Sequence, residues 1–498
     1  MTIVSQSGDG GTVARMPAHD RVPPRWAPRL PGALPGALVL GSALAVAWRL
    51  PFAGLPITTD EAGYATVARL WSHGELLYRQ IWVDRPQGLL LVFRAVLHVN
   101  DGSPGAIRGA AIVAGVLLLL ALTATAFELG GRRYAATVAL LGGAFGCSPF
   151  IESFTLAGEL VASVPAVASA YCFLRWLNRG GMQWIALAGL LTGCAVMVKQ
   201  SAFDAGLAAA ILLVTARPAG WRRALGLLVG AALVPVAACV TAAPSAGDWW
   251  FGVVSYRGQG DSLLTGPAAT RWHELTGSLQ ALGEGLAPLL VLGLRGLAAV
   301  PTFVRLWLGT ALIGVLGGGQ FHAHYYIQLV PPLTLAAAVG LERMLVSRRR
   351  ALELAVALAA ALAAAATVLP AAGASTASQV RLFFPHDLHL ADDATVARAV
   401  AARTTARDTI LVVPPTASIY YLARRRPAVG YLWVRNVQTI PAAAQAERRA
   451  LATGAPAAVV VEGALRGVRR DGVTPAEILS RYRRVAGTAG ATVYLRRD

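Results

Sequence analysis

Charge is what this sequence has least of. Only 14% of its 498 residues are Asp, Glu, Lys or Arg, against about a quarter in an average soluble domain. With 55% hydrophobic residues and a mean hydropathy of +0.55, lipid must cover much of the surface. A water-soluble globule is excluded, and the chain reads as a polytopic membrane protein. Lysine is almost missing: of 44 Lys and Arg residues, Lys199 alone is lysine. The four cysteines, Cys147, Cys172, Cys194 and Cys239, lie in or beside apolar segments. None has CxxC spacing, so neither a thiolate metal site nor a disulfide framework is indicated. There is no GxxxxGK[ST] phosphate loop, which leaves ATP-driven transport without support. No G-x-S-x-G elbow or Ser-His-Asp ordering points to a covalent hydrolase, and no repeat of solenoid period is visible.

What is present in excess is arginine. The net charge of +18 would suit nucleic acid, but the arginines are dispersed among apolar runs, without a continuous stripe interleaved with aromatics. Their clustering at the ends of apolar segments is explained by topology signals and lipid-headgroup contacts. Nucleic acid is therefore not expected as a partner, and the lipid bilayer is.

Residues 1–32 form a Pro-containing basic tail with Arg15, Arg21, Arg25 and Arg29, expected on the cytoplasmic side. The apolar run from Ala33 to about Phe52 is too long for a signal-peptide core and reads as an uncleaved first span. The acidic loop 53–87 then falls outside. Counting onward, Gly130-Gly-Arg-Arg133, Arg175 to Arg179, Arg217 to Arg223, Arg295 to Arg305 and Arg348-Arg-Arg350 all return inside, as the positive-inside rule requires. The count is about eleven transmembrane helices, with a second large extracytoplasmic loop at 243–285 and the membrane domain ending near 372. From 373 to 498 charge rises, and β-rich runs appear at Thr409–Val413, Ala457–Val461 and Ala491–Leu495. These predict a small C-terminal α/β domain, placed outside because long domains translocate largely regardless of charge. The expected fold class is an α-helical polytopic membrane protein with a small extracytoplasmic α/β domain.

The chemistry concentrates in the first outer loop. Asp60 and Glu61 follow the first span directly, where adjacent carboxylates beside apolar chain are costly unless used or paired. Thr58 and Thr59 could equally cap a helix with acids in its first turn, and both readings can hold at once. Asp84-Arg85-Pro86 sets an acid and a guanidinium before the next apolar segment. Arg85 suits bidentate phosphate binding or, alternatively, lipid headgroups. Lys199, with Gln200 beside it, is a lone ammonium at the outer end of an apolar span. It suits a phosphate at the membrane surface, or simple snorkelling to the interface. Glu159 precedes a wholly apolar run and is the better second acid, with Glu152 next. His322 and His324, followed by Tyr325 and Tyr326, make a weak metal signal that loop carboxylates could complete. Whether a divalent ion is used is left open by the sequence.

Together these residues resemble the GT-C glycosyltransferases, in particular the dolichyl- or polyprenyl-phosphate-sugar-dependent branch that includes protein O-mannosyltransferases and the lipid A aminoarabinose transferase. The likeness rests on Asp60-Glu61-Ala-x-Tyr64-Ala, then Tyr78-Arg-x-x-Trp-x-Asp84-Arg85-Pro86-x-Gly88, then Gly158-Glu159-Leu, Lys199-Gln200 and His324-Tyr-Tyr before Pro331-Pro332. It runs in order from about Ala33 to Leu341. One departure is clear: the usual Lys-Pro-Pro-Gly is Arg85-Pro-Gln-Gly here.

The resemblance implies a GT-C-like membrane fold and transfer of a sugar from a polyprenyl-phosphate donor to an envelope glycan, lipid or protein acceptor, on the extracytoplasmic face of the plasma membrane. In that frame Asp60 is the candidate base, and Glu61 or Glu159 orients the acceptor or stabilises positive charge on the sugar. Arg85, Lys199 and Gln200 would hold the donor phosphate, and Tyr64, Asp84, His324 and Tyr325 would line the substrate site. The rival from another class is a transporter or flippase of a lipid-linked substrate, which predicts polar residues along a midplane path and inverted repeats. An inactive structural subunit is the third reading.

Overall fold

Proline, glycine and Ser/Thr caps cut the apolar sequence into helices, and the computed structural model describes them over residues 33–256, 268–317, 321–385, 387–465 and 473–497. The basic tail and the middle of the loop expected at 243–285 lie outside the described residues. Among those described, seven helices are long and apolar enough to cross a membrane: Leu34–Phe52, Pro104–Phe145, Gly158–Arg179, Trp221–Thr241, Leu275–Gly296, Ala323–Val346 and Arg350–Ala372. Shorter apolar helices cover Gln87–Leu97, Met182–Val198, Asp204–Ala216 and Thr302–Leu316. The helical run Pro104–Phe145 has 42 residues, at about 20 residues per crossing enough for two spans of a bilayer. It breaks at Gly131, whose φ of 74° only glycine adopts without strain. The break expected at Gly130 to Arg133 falls here: two helices meet at Gly131 and lie side by side, with Leu119 of the first against Gly142 of the second.

Two helices between the first and second long spans position the site. We label them α1, Thr59–Ser72, and α2, Gln87–Leu97. The first is not an apolar helix, yet Ala62, Ala65, Val67 and Ala68 are all buried, because it lies under other parts of the chain. By contrast Arg350–Ala372 is apolar all round and only 6% buried in its apolar window. Such a helix needs lipid to cover it.

The C-terminal residues contain one five-stranded sheet. Its strands are β1 (Thr409–Val413), β2 (Arg426–Pro427), β3 (Ala458–Glu462), β4 (Tyr482–Gly487) and β5 (Ala491–Arg496), in the order β2-β1-β3-β5-β4. Parallel pairing sets Ile410 opposite Ala458, and antiparallel pairing sets Val459 opposite Tyr494. β1 and β3 are nearly unbroken runs of buried aliphatics, as strands covered on both faces must be.

This sheet layer is docked on the loop 53–87. The Trp82 amide donates to the Gly430 carbonyl at 2.9 Å, the guanidinium of Arg69 lies 4.7 Å from the Tyr421 ring centre, and Arg426 pairs with Glu75. Residues 421–430 therefore lie over α1 and the stretch that follows it.

Candidate functional site

The stretch Thr58 to Tyr64 splits its two acids. Thr58 is the N-cap of α1, and its hydroxyl accepts from the Glu61 amide while the Glu61 carboxylate accepts from the Thr58 amide at 3.1 Å, the reciprocal capping box. Glu61 Oε1 also accepts from Arg108 Nη1 and from the Leu156 amide, each at 2.8 Å. Both side chains of that ion pair are 2% exposed. Asp60 faces the other way. Its Oδ2 accepts from the Tyr64 hydroxyl at 3.3 Å, one turn along the helix, and its Oδ1 accepts from Trp433 Nε1 at 2.9 Å. Burial raises the Tyr64 hydroxyl well above its ordinary range, so it stays a donor to that carboxylate.

The second stretch folds around Tyr78, whose hydroxyl sits 2.9 Å from the Arg85 carbonyl and 3.0 Å from Gln87 Oε1. Gln87 also accepts from Trp249 Nε1 at 3.0 Å and donates to the Cys239 carbonyl at 2.6 Å. Gln87, one of the two residues that depart from the usual Lys-Pro-Pro-Gly, is thus a three-way tie between segments. Gly88 explains its own place, since any side chain there would strike the Met197 carbonyl. Its absence brings the start of α2 against the end of the helix Met182–Val198, and so brings Arg85 near Lys199. Arg85 is 7% exposed and donates to Asp84 Oδ2 at 2.9 Å. Burial opposes its charge most strongly of any single cause, but the Asp84 carboxylate together with Tyr64, Asp60 and Tyr325 outweighs it and raises Arg85 well above its ordinary value. Gln200 donates to the carbonyls of Asp84 and Val253 at 2.9 and 3.0 Å.

Glu159, in the first turn of the helix Gly158–Arg179, pairs with Lys199. Lys199 lies 3.9 Å from the centre of the Tyr325 ring, as a buried ammonium with an aromatic face does. His324 Nδ1 is 3.0 Å from Glu152 Oε2, and its Nε2 is 3.7 Å from Glu159 Oε1. His324 divides its nitrogens between two carboxylates, so among the described residues these donors do not converge on one point. His322 is exposed to solvent and stacks on His324 with ring centres 5.4 Å apart.

A cavity of about 150 Å³ is lined by Asp60, Tyr64, Asp84, Arg85, His324 and Tyr325, closed by Trp433 and Arg435. A smaller recess beside it shares Asp60, Tyr64, Arg85 and His324 and reaches Glu61, Glu152 and Glu159. Of the ten site residues read from the sequence, Lys199 and Gln200 line neither; both touch residues that do. Sequence reasoning missed Trp433 and Arg435, which stand in Tyr431-Leu-Trp-Val-Arg435 beyond β2. An aromatic pair ahead of a cation in a connecting segment was the available signal. It also missed Arg108, hidden in the first turns of a long apolar helix.

No protein-family model matches the chain, and no curated protein matches it either. Solved structures do. ArnT from Cupriavidus metallidurans bound to undecaprenyl phosphate has a TM-score of 0.60 at 14% identity, over 92% of this chain and 98% of its own. The Archaeoglobus fulgidus oligosaccharyltransferase in complex with Zn and sulfate has a TM-score of 0.55 at 14% identity, over 92% of this chain and 73% of its own. AglB from the same organism, with an inhibitory peptide and a dolichol-phosphate, gives 0.51 at 14% identity, over 93% and 74%. At these identities the likeness is one of fold, and the fold is that of the GT-C enzymes which the motifs of this chain resemble.

Proposed function

We infer that this chain is a membrane glycosyltransferase that takes a sugar from a polyprenyl-phosphate-linked donor and passes it to an envelope glycan, lipid or protein acceptor on the extracytoplasmic face of the plasma membrane. The observation that carries this reading is that the carboxylate of Asp60 and the guanidinium of Arg85 line one cavity, set in the outer-loop helices of a GT-C fold. The solved structures of that fold include complexes with undecaprenyl phosphate and with dolichol-phosphate, which favours the same donor class here. Eleven crossings follow if Pro104–Phe145 counts as two and Met182–Val198, Asp204–Ala216 and Thr302–Leu316 cross as well; residues 373–498 then lie outside as a separate domain.

Asp60 takes the proton of the acceptor hydroxyl or amine, and the freed lone pair bonds to the anomeric carbon of the donor. The bond from that carbon to the phosphate oxygen breaks, and its electrons leave with the phosphate. The leaving polyprenyl phosphate gains one negative charge in this step. Preorganised cations where charge develops lower the barrier most; Arg85 and Arg435 line the cavity, and Lys199 stands behind it against Glu159 and Tyr325. Tyr64 and Trp433 hold the two oxygens of Asp60, and Glu159 steadies Lys199 against the sugar site. Gln200 fixes the backbone under Asp84 and Arg85. Glu61 is a positioning residue, since its oxygens are engaged by Thr58, Arg108 and Leu156.

The test is Asp60→Asn, assayed by sugar release from a polyprenyl-phosphate donor. General-base catalysis contributes roughly 10²–10⁴-fold, so transfer should fall by that much with the melting temperature held. Undiminished transfer by the variant would remove Asp60 from the role. A parent chain that moves lipid-linked sugar across vesicles without transferring it would favour a transporter instead.

A further inference from the structure

Away from the cavity, the C-terminal layer gathers a second set of ionisable side chains. His389 sits in the short turn Leu388–Ala391, Asp393 opens the helix Asp393–Ala401, and Glu462 ends β3. His389 Nδ1 is 3.0 Å from Asp393 Oδ2 and 3.9 Å from Glu462 Oε1. One donor atom from each of the three lies within 4.8 Å of the others. The Asp393 and Glu462 side chains are 3% and 10% exposed. Glu462 Oε2 accepts from the Thr416 hydroxyl at 2.7 Å, but Oε1 is buried and accepts no hydrogen bond among the described residues. A buried carboxylate oxygen left without a donor, facing another carboxylate, is costly on its own.

We propose that His389, Asp393 and Glu462 form a binding site for a divalent transition-metal ion of the zinc class. One imidazole nitrogen and two carboxylate oxygens, with water as the fourth ligand, suit Zn²⁺ better than Ca²⁺ or Mg²⁺, which take all-oxygen shells. The surroundings are those of a metal site rather than of a lone ion pair. Ser418 donates to Asp393 Oδ2, Thr416 donates to Glu462, and the far nitrogen of His389 lies 3.5 Å from Asp387 Oδ1. Carboxylates and hydroxyls of this kind fix ligand orientation from behind.

The site has a structural consequence. Thr416, the residue behind Glu462, also forms an antiparallel β-bridge with Trp433, whose indole donates to Asp60. A cation there would tie residues 387–401 to the end of β3 and steady the strand segment that bears Trp433. The inference stands whether or not the chain transfers sugar.

The test uses the full chain in detergent, stripped with EDTA, desalted after reloading with Zn²⁺ alone, and analysed for bound metal. The parent should retain one zinc per chain more than His389→Asn or Glu462→Gln does. In the parent, zinc should also slow amide exchange in 387–401 and 458–465, on the order of a hundredfold at free Zn²⁺ a hundred times Kd. Equal zinc content in parent and folded variants would overturn the assignment. If both variants fail to fold, the exchange experiment on the parent decides, and unchanged exchange in those two segments overturns it as well.

Discussion

Glu61 tests whether the acidic loop has been divided correctly between chemistry and support. In the structure its two oxygens meet four protein donors: the Thr58 amide and hydroxyl, the Leu156 amide and Arg108 Nη1. Glu61→Gln keeps the shape and removes the charge, which leaves the buried Arg108 guanidinium without its carboxylate, among neutral partners such as the Pro56 carbonyl at 2.8 Å, the Phe154 carbonyl at 3.5 Å and the Phe154 ring. Breaking a buried pair from one side costs about 3–5 kcal/mol. Arg108→Met leaves the Glu61 anion with three hydrogen-bond donors, so its cost should be the smaller of the two. In the double variant no charge is stranded, and the pair should couple by about 2–3 kcal/mol. The assay is the apparent melting temperature of the detergent-solubilised chain for the parent, both single variants and the double. Glu61→Gln should melt several degrees lower, and Glu61→Gln/Arg108→Met should recover most of that loss. A Glu61→Gln variant that melts like the parent while losing transfer would refute the argument and move Glu61 into the chemistry.

Three other expectations follow from the contacts. Trp433→Phe keeps the packing on Tyr64 but removes the hydrogen bond to Asp60, and should lower kcat about tenfold, consistent with the loss of about 1.5 kcal/mol for a bond to a charged group; an unchanged kcat would mean that Asp60 is oriented by Tyr64 alone. Gly63→Val drives a side chain into the Trp433 ring and should reduce transfer while leaving the helices intact by circular dichroism. Gln87→Pro restores the more usual family residue, yet forfeits contacts with Tyr78, Trp249 and Cys239, so the melting temperature should drop by the equivalent of about 3 kcal/mol at about 1 kcal/mol per hydrogen bond; a gain in stability would show that those contacts are not formed.

What the sequence made legible were features with a local cause. Thr58 with Glu61 three residues on is a capping signature whether or not its carboxylate is used, and it survives in the structure with a buried ion pair added. A single lysine in a chain of arginines drew attention to Lys199, and an acid before an apolar run drew attention to Glu159; the two meet as one ion pair. The residues that escaped notice make their contacts across long stretches of chain. Trp433 meets Asp60 across a separation of 373 residues, and no periodicity or spacing encodes such a meeting. Arg108 was hidden for another reason. An arginine in the first turns of an apolar helix has the same sequence pattern whether it meets headgroups, as topology rules suppose, or turns inward to a carboxylate.

The two cations read as phosphate ligands already carry carboxylates, Arg85 with Asp84 and Lys199 with Glu159. That arrangement is what burial requires, because an unpaired ammonium or guanidinium beside lipid is expensive before any donor arrives. On the proposed function it also shapes the reaction. A donor phosphodiester carries one charge and competes poorly with two carboxylates, whereas the departing phosphate monoester carries more and competes better. Each cation can shift from its resident carboxylate towards the phosphate as the glycosidic bond breaks, so that the interaction is stronger at the transition state than in the donor complex, which is the condition for raising kcat rather than lowering KM. Lys199→Met, which leaves Glu159 facing His324 alone, should therefore depress kcat more than it raises KM for the donor. The opposite split would assign Lys199 to ground-state binding and make Arg85 and Arg435 the groups that receive the developing charge.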